Sequence, residues 1–228
     1  MRILTLAAQW VFILCLPVLL VTASIAWAAN SLWLYRSGFE KYDVGRNTDL
    51  DDSELEKVAT GLINYFNSAE EYINLTVMKD GKPFDIFTRE EVIHFKDVKG
   101  LFRLDYRVLL GTLIYCLAYT GVSLIRQRSR HWSRAARGTV GGSALTLALM
   151  LALGLGTLLN FDQLFLQFHI ISFANKFWSA EGNMVLLFPR GFWYDTALLC
   201  AGITAGLAVI LGGVAGGYLA FTRRRAAA

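Results

Sequence analysis

Charge is scarce in this chain of 228 residues. Asp, Glu, Lys and Arg make up 18% of it, where an ordinary soluble domain carries about 25%. The residues Ala, Val, Ile, Leu, Met, Phe, Trp, Tyr and Cys supply 55%, and the mean hydropathy is +0.43. So little charge excludes a disordered chain, and the long apolar runs argue against a soluble enzyme. Three prolines against 20 glycines exclude a proline-rich linker or a collagen-like chain. Only three cysteines occur, Cys15, Cys116 and Cys200. All lie inside apolar runs, so neither a disulfide framework nor a Cys-based zinc site is available. Also missing are a Gly-x-Ser-x-Gly elbow, a phosphate-binding glycine loop and a His-Glu-x-x-His pair. No charge interrupts the middle of an apolar run, which removes the usual equipment of a pump or secondary transporter. There is no repeat of fixed period and no low-complexity tract.

What remains is a membrane protein. Four stretches meet the requirement of about 20 mainly apolar residues per crossing: residues 6–29, 108–125, 140–159 and 193–221. The first also reads as a signal peptide, with Arg2 ahead of it and Ala26-Trp27-Ala28 resembling a cleavage site. Its apolar run exceeds the usual 7–15 residues of a signal core, so a retained helix is expected. Leu14 precedes Cys15, which excludes a lipoprotein signal. Arg126, Arg128, Arg130, Arg134 and Arg137 between spans two and three, Arg223-Arg224-Arg225 at the end, and Arg2 at the start all fall on one side. By the positive-inside rule that side is cytoplasmic. Both termini are therefore expected inside, with residues 126–139 a basic cytoplasmic loop and 222–228 a cytoplasmic tail. The net charge of +4 is a topological signal, and no nucleic-acid partner is expected. Gly212, Gly213, Gly216 and Gly217 form small-xxx-small pairs, which suggest close helix packing.

Residues 30–107 and 160–192 are left outside. The first holds most of the acidic residues. Ser53-Glu54-Leu55-Glu56 reads as a capping box, followed by Leu55, Val58, Leu62, Ile63 and Phe66 at helical spacing. Residues 72–78 and 84–87 flank Lys79-Asp80-Gly81-Lys82-Pro83, a hairpin signal because Asp-Gly suits positive φ. Thr88-Arg89-Glu90-Glu91 is a second capping box, whose helix is expected to run into span two. Residues 160–192 are rich in Phe and Trp, too polar to span and too apolar for a free loop, and are expected in the interface as one or two short helices. The expected fold class is an α-helical integral membrane protein of four transmembrane helices, with a small extracytoplasmic α+β domain and an interfacial aromatic segment.

Two of the three histidines carry the chemical interest. His131 sits among the cytoplasmic arginines and reads as incidental. His94 follows Glu90 and Glu91 and precedes Asp97 by three, so a carboxylate shares its helical face, where it would orient the ring and favour its protonated form. His169 has Asp162 seven residues back on a similar face. Taken singly, either reads as well as an ordinary surface histidine. Both lie on the outer side near a membrane boundary, which favours function. With a carboxylate they could bind zinc, but the spacing has no recognised signature, and no metal or cofactor is expected.

Glu91-x-x-His94-x-x-Asp97-Val98-Lys99-x-Leu101-Phe102 closely resembles a motif of the bacterial integral membrane family that includes the lipoprotein intramolecular transacylases. So does Phe168-His169-x-x-x-Phe173-x-Asn175-x-x-Trp178, followed by Phe188-Pro189-x-x-Phe192-Trp193-x-Asp195. The likeness extends to the order of parts, including Gly38-Phe39-Glu40-Lys41-Tyr42, and covers nearly the whole chain. Lys176 stands where the family suggests an acid, and residues 179–184 are shorter than its usual stretch, which bears on the substrate groove more than on the fold.

The resemblance implies a four-helix enzyme with its site at the outer leaflet. It would move the sn-2 acyl chain of a diacylglyceryl-modified lipoprotein onto the amine of the same N-terminal cysteine, with such lipoproteins and membrane lipids as partners. His94 and His169 would be the essential histidines, supported by Asp97, Lys99, Asn175 and Trp178. The chemistry fits these residues. Amine and ester share one substrate, so proximity contributes up to about 7–11 kcal/mol and no enzyme nucleophile is required. An α-amine of pKa about 7.7–8.0 must lose a proton, and a histidine near about 6.5 is a suitable base. His169 is expected as base and His94, held by Asp97 or Glu91, as acid or oxyanion donor, although the order could be reversed. The rival readings are a non-catalytic membrane partner or sensor with an extracytoplasmic binding domain, and a lipid-acyl enzyme of another kind.

Overall fold

The computed structural model describes residues 2–125, 129–179 and 182–227. Arg126 and Arg128 lie outside the described residues, as do residues 180–181 of the shortened stretch and the side chains of Arg130 and His131. The chain divides into two compact units. One comprises Met1–Ile25, Asp105–Leu155 and Leu199–Ala228, the other Ala26–Leu104 and Gly156–Leu198.

The first unit consists of stretches of four long helices: α1 (Arg2–Ala29), α5 (Arg89–Ile125), α6 (Ser129–Ser172) and α8 (Arg190–Ala227). Phe12, Leu16, Leu20, Met150 and Ala208 are buried, while Leu117, Leu151, Ile210 and Val214 are exposed. Helices apolar on every side belong in lipid. Among the described residues, Leu4–Ala29, Trp132–Ser172 and Arg190–Arg225 are long and apolar enough to cross a membrane. Residues 108–125 are helical throughout, as the C-terminal half of α5, but are not among those three. Polar groups pair internally, since lipid offers no hydrogen bonds. Ser24 and Thr204 hydroxyls meet at 2.9 Å, and Tyr115 donates to the Ala8 carbonyl at 2.8 Å. Of Gly212, Gly213, Gly216 and Gly217 in α8, Gly212 alone packs closely, against Ser143.

The second unit carries the smaller elements: α2 (Leu32–Lys41), α3 (Val44–Thr48), α4 (Asp52–Asn67), β1 (Thr76–Lys79), β2 (Lys82–Asp85) and α7 (Asn183–Leu187). The cap of α4 is Asp51 rather than Ser53: its carboxylate accepts from Glu54 N at 2.9 Å. Ser53 instead donates to Asp51, and Glu54 reaches Met78 N of β1 at 3.0 Å. An ionised Asp two residues earlier is the better acceptor for the positive end of the helix. α4 buries Leu55, Val58, Ala59, Leu62, Tyr65 and Phe66. The hairpin turns in two residues, Asp80 at φ 52° and Gly81 at φ 72°, so Lys79 and Lys82 pair across it instead of belonging to a five-residue loop. The second capping box forms as expected. Thr88 Oγ1 accepts from Glu91 N at 3.3 Å and Glu91 Oε2 from Thr88 N at 2.8 Å.

The basic stretch expected as a loop is helical from Ser129 onward, and α6 continues to Ser172 through a break at Asn160 (φ −158°, ψ 75°). Asn160 Oδ1 accepts from Gln163 N at 3.1 Å, so a new turn is capped there and the chain is redirected with His169 on it. A cluster of Tyr35, Phe39, Phe188 and Phe192 joins α2 to the start of α8, with ring centroids 5.2–6.4 Å apart. Any Cβ at Gly38 would collide with the Phe192 ring, whereas Gly100 has open space around it. Gly38→Val should therefore cost about 1–3 kcal/mol through overpacking. Gly100→Ala should gain about 0.5–1 kcal/mol of helix propensity. Unfolding midpoints in detergent check both, and equal midpoints for the two variants would contradict the packing.

Candidate active site

His94 lies one turn inside α5, three residues beyond the Glu91 cap, and His169 lies in the last turn of α6. They belong to the same compact unit and are 5% and 7% exposed. Their rings stack with centroids 6.3 Å apart and planes 26° apart. An aromatic wall surrounds them: Phe173 meets His94 edge-on at 4.7 Å, and Phe165 and Trp178 lie 4.1 and 5.0 Å from His169. Residues from 160–192 therefore contact the helix that carries His94.

The hydrogen bonds set the ring states. His169 Nδ1 lies 2.7 Å from the Phe165 carbonyl one turn earlier. A carbonyl can only accept, so Nδ1 carries the proton and a neutral ring keeps its lone pair on Nε2. His94 Nδ1 is buried and has no hydrogen-bond partner among the described residues. Burial pushes the His94 imidazole down to about 4, a charge on His169 would push it the same way, and Asp97 opposes both. Asp97 favours the protonated ring, the direction expected of a nearby carboxylate, but desolvation outweighs it.

The carboxylates expected beside the histidines have other partners. Glu91, with no exposed surface, completes the cap with Oε2 and accepts from Met184 N with Oε1 at 2.6 Å. Asp97 Oδ2 accepts from Asn175 Nδ2 at 2.7 Å, and Asn175 Oδ1 accepts from Phe177 N at 3.0 Å. Asp162 pairs with Arg190 in an exposed ion pair beside a cleft of about 420 Å³ lined in part by Asn160, Phe161 and Tyr194, to which neither histidine contributes. Lys99 is buried away from the rings. It donates to Ser68 Oγ at 3.0 Å and the Glu70 carbonyl at 2.7 Å, and sits 3.9 Å over the Tyr65 ring. Burial lowers its amine from the usual lysine range. Trp178 alone of the expected supporting residues has its ring against a histidine. The Phe165 carbonyl escaped the sequence reading, although the four-residue spacing to His169 was visible.

The site is a buried pair of imidazoles, one with its tautomer set by the backbone. Proton transfer needs contacts of about 2.6–3.2 Å, so imidazoles with centroids 6.3 Å apart do not exchange a proton directly, and each would act on a bound group. Among the described residues no group of three or more His, Cys, Asp or Glu could hold a metal ion.

Fold and site thus define a membrane-integral helical protein with a buried imidazole pair. The family follows from the sequence match: a family model for the lipoprotein intramolecular transacylases matches residues 10–193, and the chain belongs to that family. The structure resembles the lipoprotein intramolecular transacylase of Bacillus cereus with a TM-score of 0.80 at 17% identity, covering 99% of this chain and 100% of that one. It also resembles a histidine-to-alanine variant of that protein at TM-score 0.76 and 19% identity, covering 96% and 94%. At such identities the likeness is one of fold. No curated protein matches the chain.

The lowered His94 value has a stability consequence. Free histidine titrates near about 6.5, so between there and about 4 the unfolded chain binds a proton that the folded chain refuses. Stability contributed by the neutral ring should be present above pH 6.5 and fall as pH drops toward 4. Unfolding midpoints from pH 7 to 4 should therefore decline more steeply for the wild type than for His94→Gln. Parallel curves would contradict the assignment.

Proposed function

We propose that this chain transfers an acyl chain from the diacylglyceryl group of a lipoprotein to the amine of the lipoprotein's own N-terminal cysteine, producing the lyso form. The observation carrying this reading is the buried pair His94–His169, with His169 Nδ1 committed to a backbone carbonyl. The lone pair on His169 Nε2 takes the proton of the attacking amine. Nitrogen then bonds to the ester carbonyl carbon and the bond to the glycerol oxygen breaks. The imidazolium of His169 returns the proton to the departing alkoxide. His94 is neutral at pH 7, given its depressed value, and a neutral ring still offers one N–H. Its role is therefore donor to the tetrahedral oxyanion rather than proton-delivering acid. No metal or cofactor is called for.

The working topology has four membrane helices, both termini in the cytoplasm, and the pair at the outer leaflet with residues 160–192 in the interface. The arginine distribution supports it, as do the exposed apolar side chains Phe168, Ile170, Ile171, Val185 and Leu186 of the segment that carries His169 and follows it. Single cysteines at Asp80 and Arg225, in a background lacking the native three, should label from outside and from the cytoplasm respectively. Outer labelling at 225 would invert the orientation.

Purified protein supplied with a diacylglyceryl peptide bearing a free N-terminus tests the chemistry. His169→Ala and His94→Ala should each reduce conversion by about 10²–10⁴-fold, and the double variant should be little worse than either because the two act as a unit. Equal conversion by wild type and double variant would leave a non-catalytic membrane partner or sensor as the better reading.

A further inference from the structure

Two carboxylates flank His94 at three residues on either side, and neither is hydrogen-bonded to it. Each reaches out of α5 to the segment that follows α6. Asp97 Oδ2 accepts from the Asn175 side chain at 2.7 Å, and Asn175 Oδ1 accepts from Phe177 N at 3.0 Å. Glu91 Oε1 accepts from Met184 N at 2.6 Å, and Asn183 Nδ2 donates to the Ile86 carbonyl just ahead of the helix at 2.7 Å. The Glu91 carboxylate also packs against Gly182, where any Cβ would collide with it. Between these attachments stands Trp178, its ring 5.0 Å from His169.

From this arrangement we propose that Asp97 and Glu91 are positioning residues. They fasten the segment after α6 to the helix of His94, and so hold Trp178 against His169 and close the site to water. Neither carboxylate orients the His94 ring. The spacing follows from helix geometry: residues 91, 94 and 97 recur about one turn apart, so one face of α5 presents acceptor, imidazole, acceptor. At the Glu91 latch one carboxylate oxygen accepts from Met184 N and the other from Thr88 N of the helix cap, so the carboxylate joins the segment to the start of α5. The Asp97 latch acts through Asn175, whose oxygen shapes the turn at Phe177. Two anchors on one rigid helix fix the wall of the site where a loop alone would leave it loose.

The proposal rests on the acyl-transfer reading, so its test has one arm independent of activity. Hydrogen exchange is followed by mass spectrometry on the peptide covering residues 173–187 in the full-length protein. Asp97→Ala and Asn175→Ala should each speed its exchange by roughly 2- to 10-fold, the effect of losing one ordinary hydrogen bond, with the double variant no faster than the singles. Asp97→Asn keeps an acceptor oxygen and should leave exchange near wild type. Glu91→Gln, with one acceptor for two donors, should speed it while preserving the fold. In the transfer assay Asp97→Ala and Asn175→Ala should each lose about 10–100-fold in kcat, the range expected for a misplaced catalytic group, and Asp97→Asn should retain activity.

Unchanged exchange in Asp97→Ala and Glu91→Gln would overturn the latches. Loss of activity in Asp97→Asn with normal exchange would overturn them in favour of a charge acting on His94. Faster exchange with full activity would remove the positioning role. Failure of the wild type to convert the peptide would overturn the acyl-transfer reading, with the exchange arm still deciding whether the latches exist.

Discussion

The arrangement of the second unit depends on keeping two imidazoles adjacent and buried, a condition that works against their natural tendency to charge. Two protonated rings 6.3 Å apart in surroundings of low polarity would repel strongly, and desolvation adds to the cost. The protein answers with aromatic side chains: Phe165, Phe168, Phe173 and Trp178 stand around His169, and Phe95 and Phe173 around His94. The result at His94 is a ring that resists protonation until about pH 4. With its N–H committed to the Phe165 carbonyl, neutral His169 offers a lone pair, and neutral His94 offers a lone pair and an N–H. That complement suits an amine attacking an ester when both belong to the same bound molecule.

Neutrality leaves orientation unsolved, because an imidazole without a carboxylate partner needs another hold. At His169 the backbone provides one through the Phe165 carbonyl. This hold is local to the helix and costs no additional buried charge. At His94 the hold is packing, with Phe173 edge-on against the ring and Nδ1 unpartnered among the described residues. The available carboxylates are then free to act at a distance. Glu91 can be fully buried because backbone N–H groups of Thr88 and Met184 satisfy it, which offsets the desolvation that would otherwise expel it. Buried Lys99 follows the same logic on the far side of α5, satisfied by Ser68, Glu70 and the Tyr65 ring. It anchors the turn after α4 there.

Much of this was legible in the sequence. The apolar runs demanded membrane helices because a helix satisfies its own backbone polar groups in lipid and needs about 20 residues to cross. Thr88-x-x-Glu91 determined where α5 begins, since a capping box is decided by four consecutive residues and needs no tertiary help. Asp80-Gly81 located the hairpin turn for the same kind of reason, although pairing across the sheet carried Lys79 and Lys82 into the strands. The motifs containing His94 and His169 identified the family, and the match over residues 10–193 agrees.

What only the tertiary structure decided is which groups meet. Sequence spacing placed Asp162 on the face of His169 and Glu91 and Asp97 near His94, yet Asp162 pairs with Arg190 and the other two bind the segment after α6. Helical spacing states which side chains share a face. It does not state which of them finds a better donor 78 or 93 residues away along the chain. The state of His94 follows the same rule: the carboxylate that favours the charged ring is visible in sequence, and the burial that outweighs it is not. Local hydrogen bonding and periodicity therefore determined the elements and their chemistry, whereas desolvation and long-range donor–acceptor matching, which exist only once the chain is packed, decided the state of each functional group.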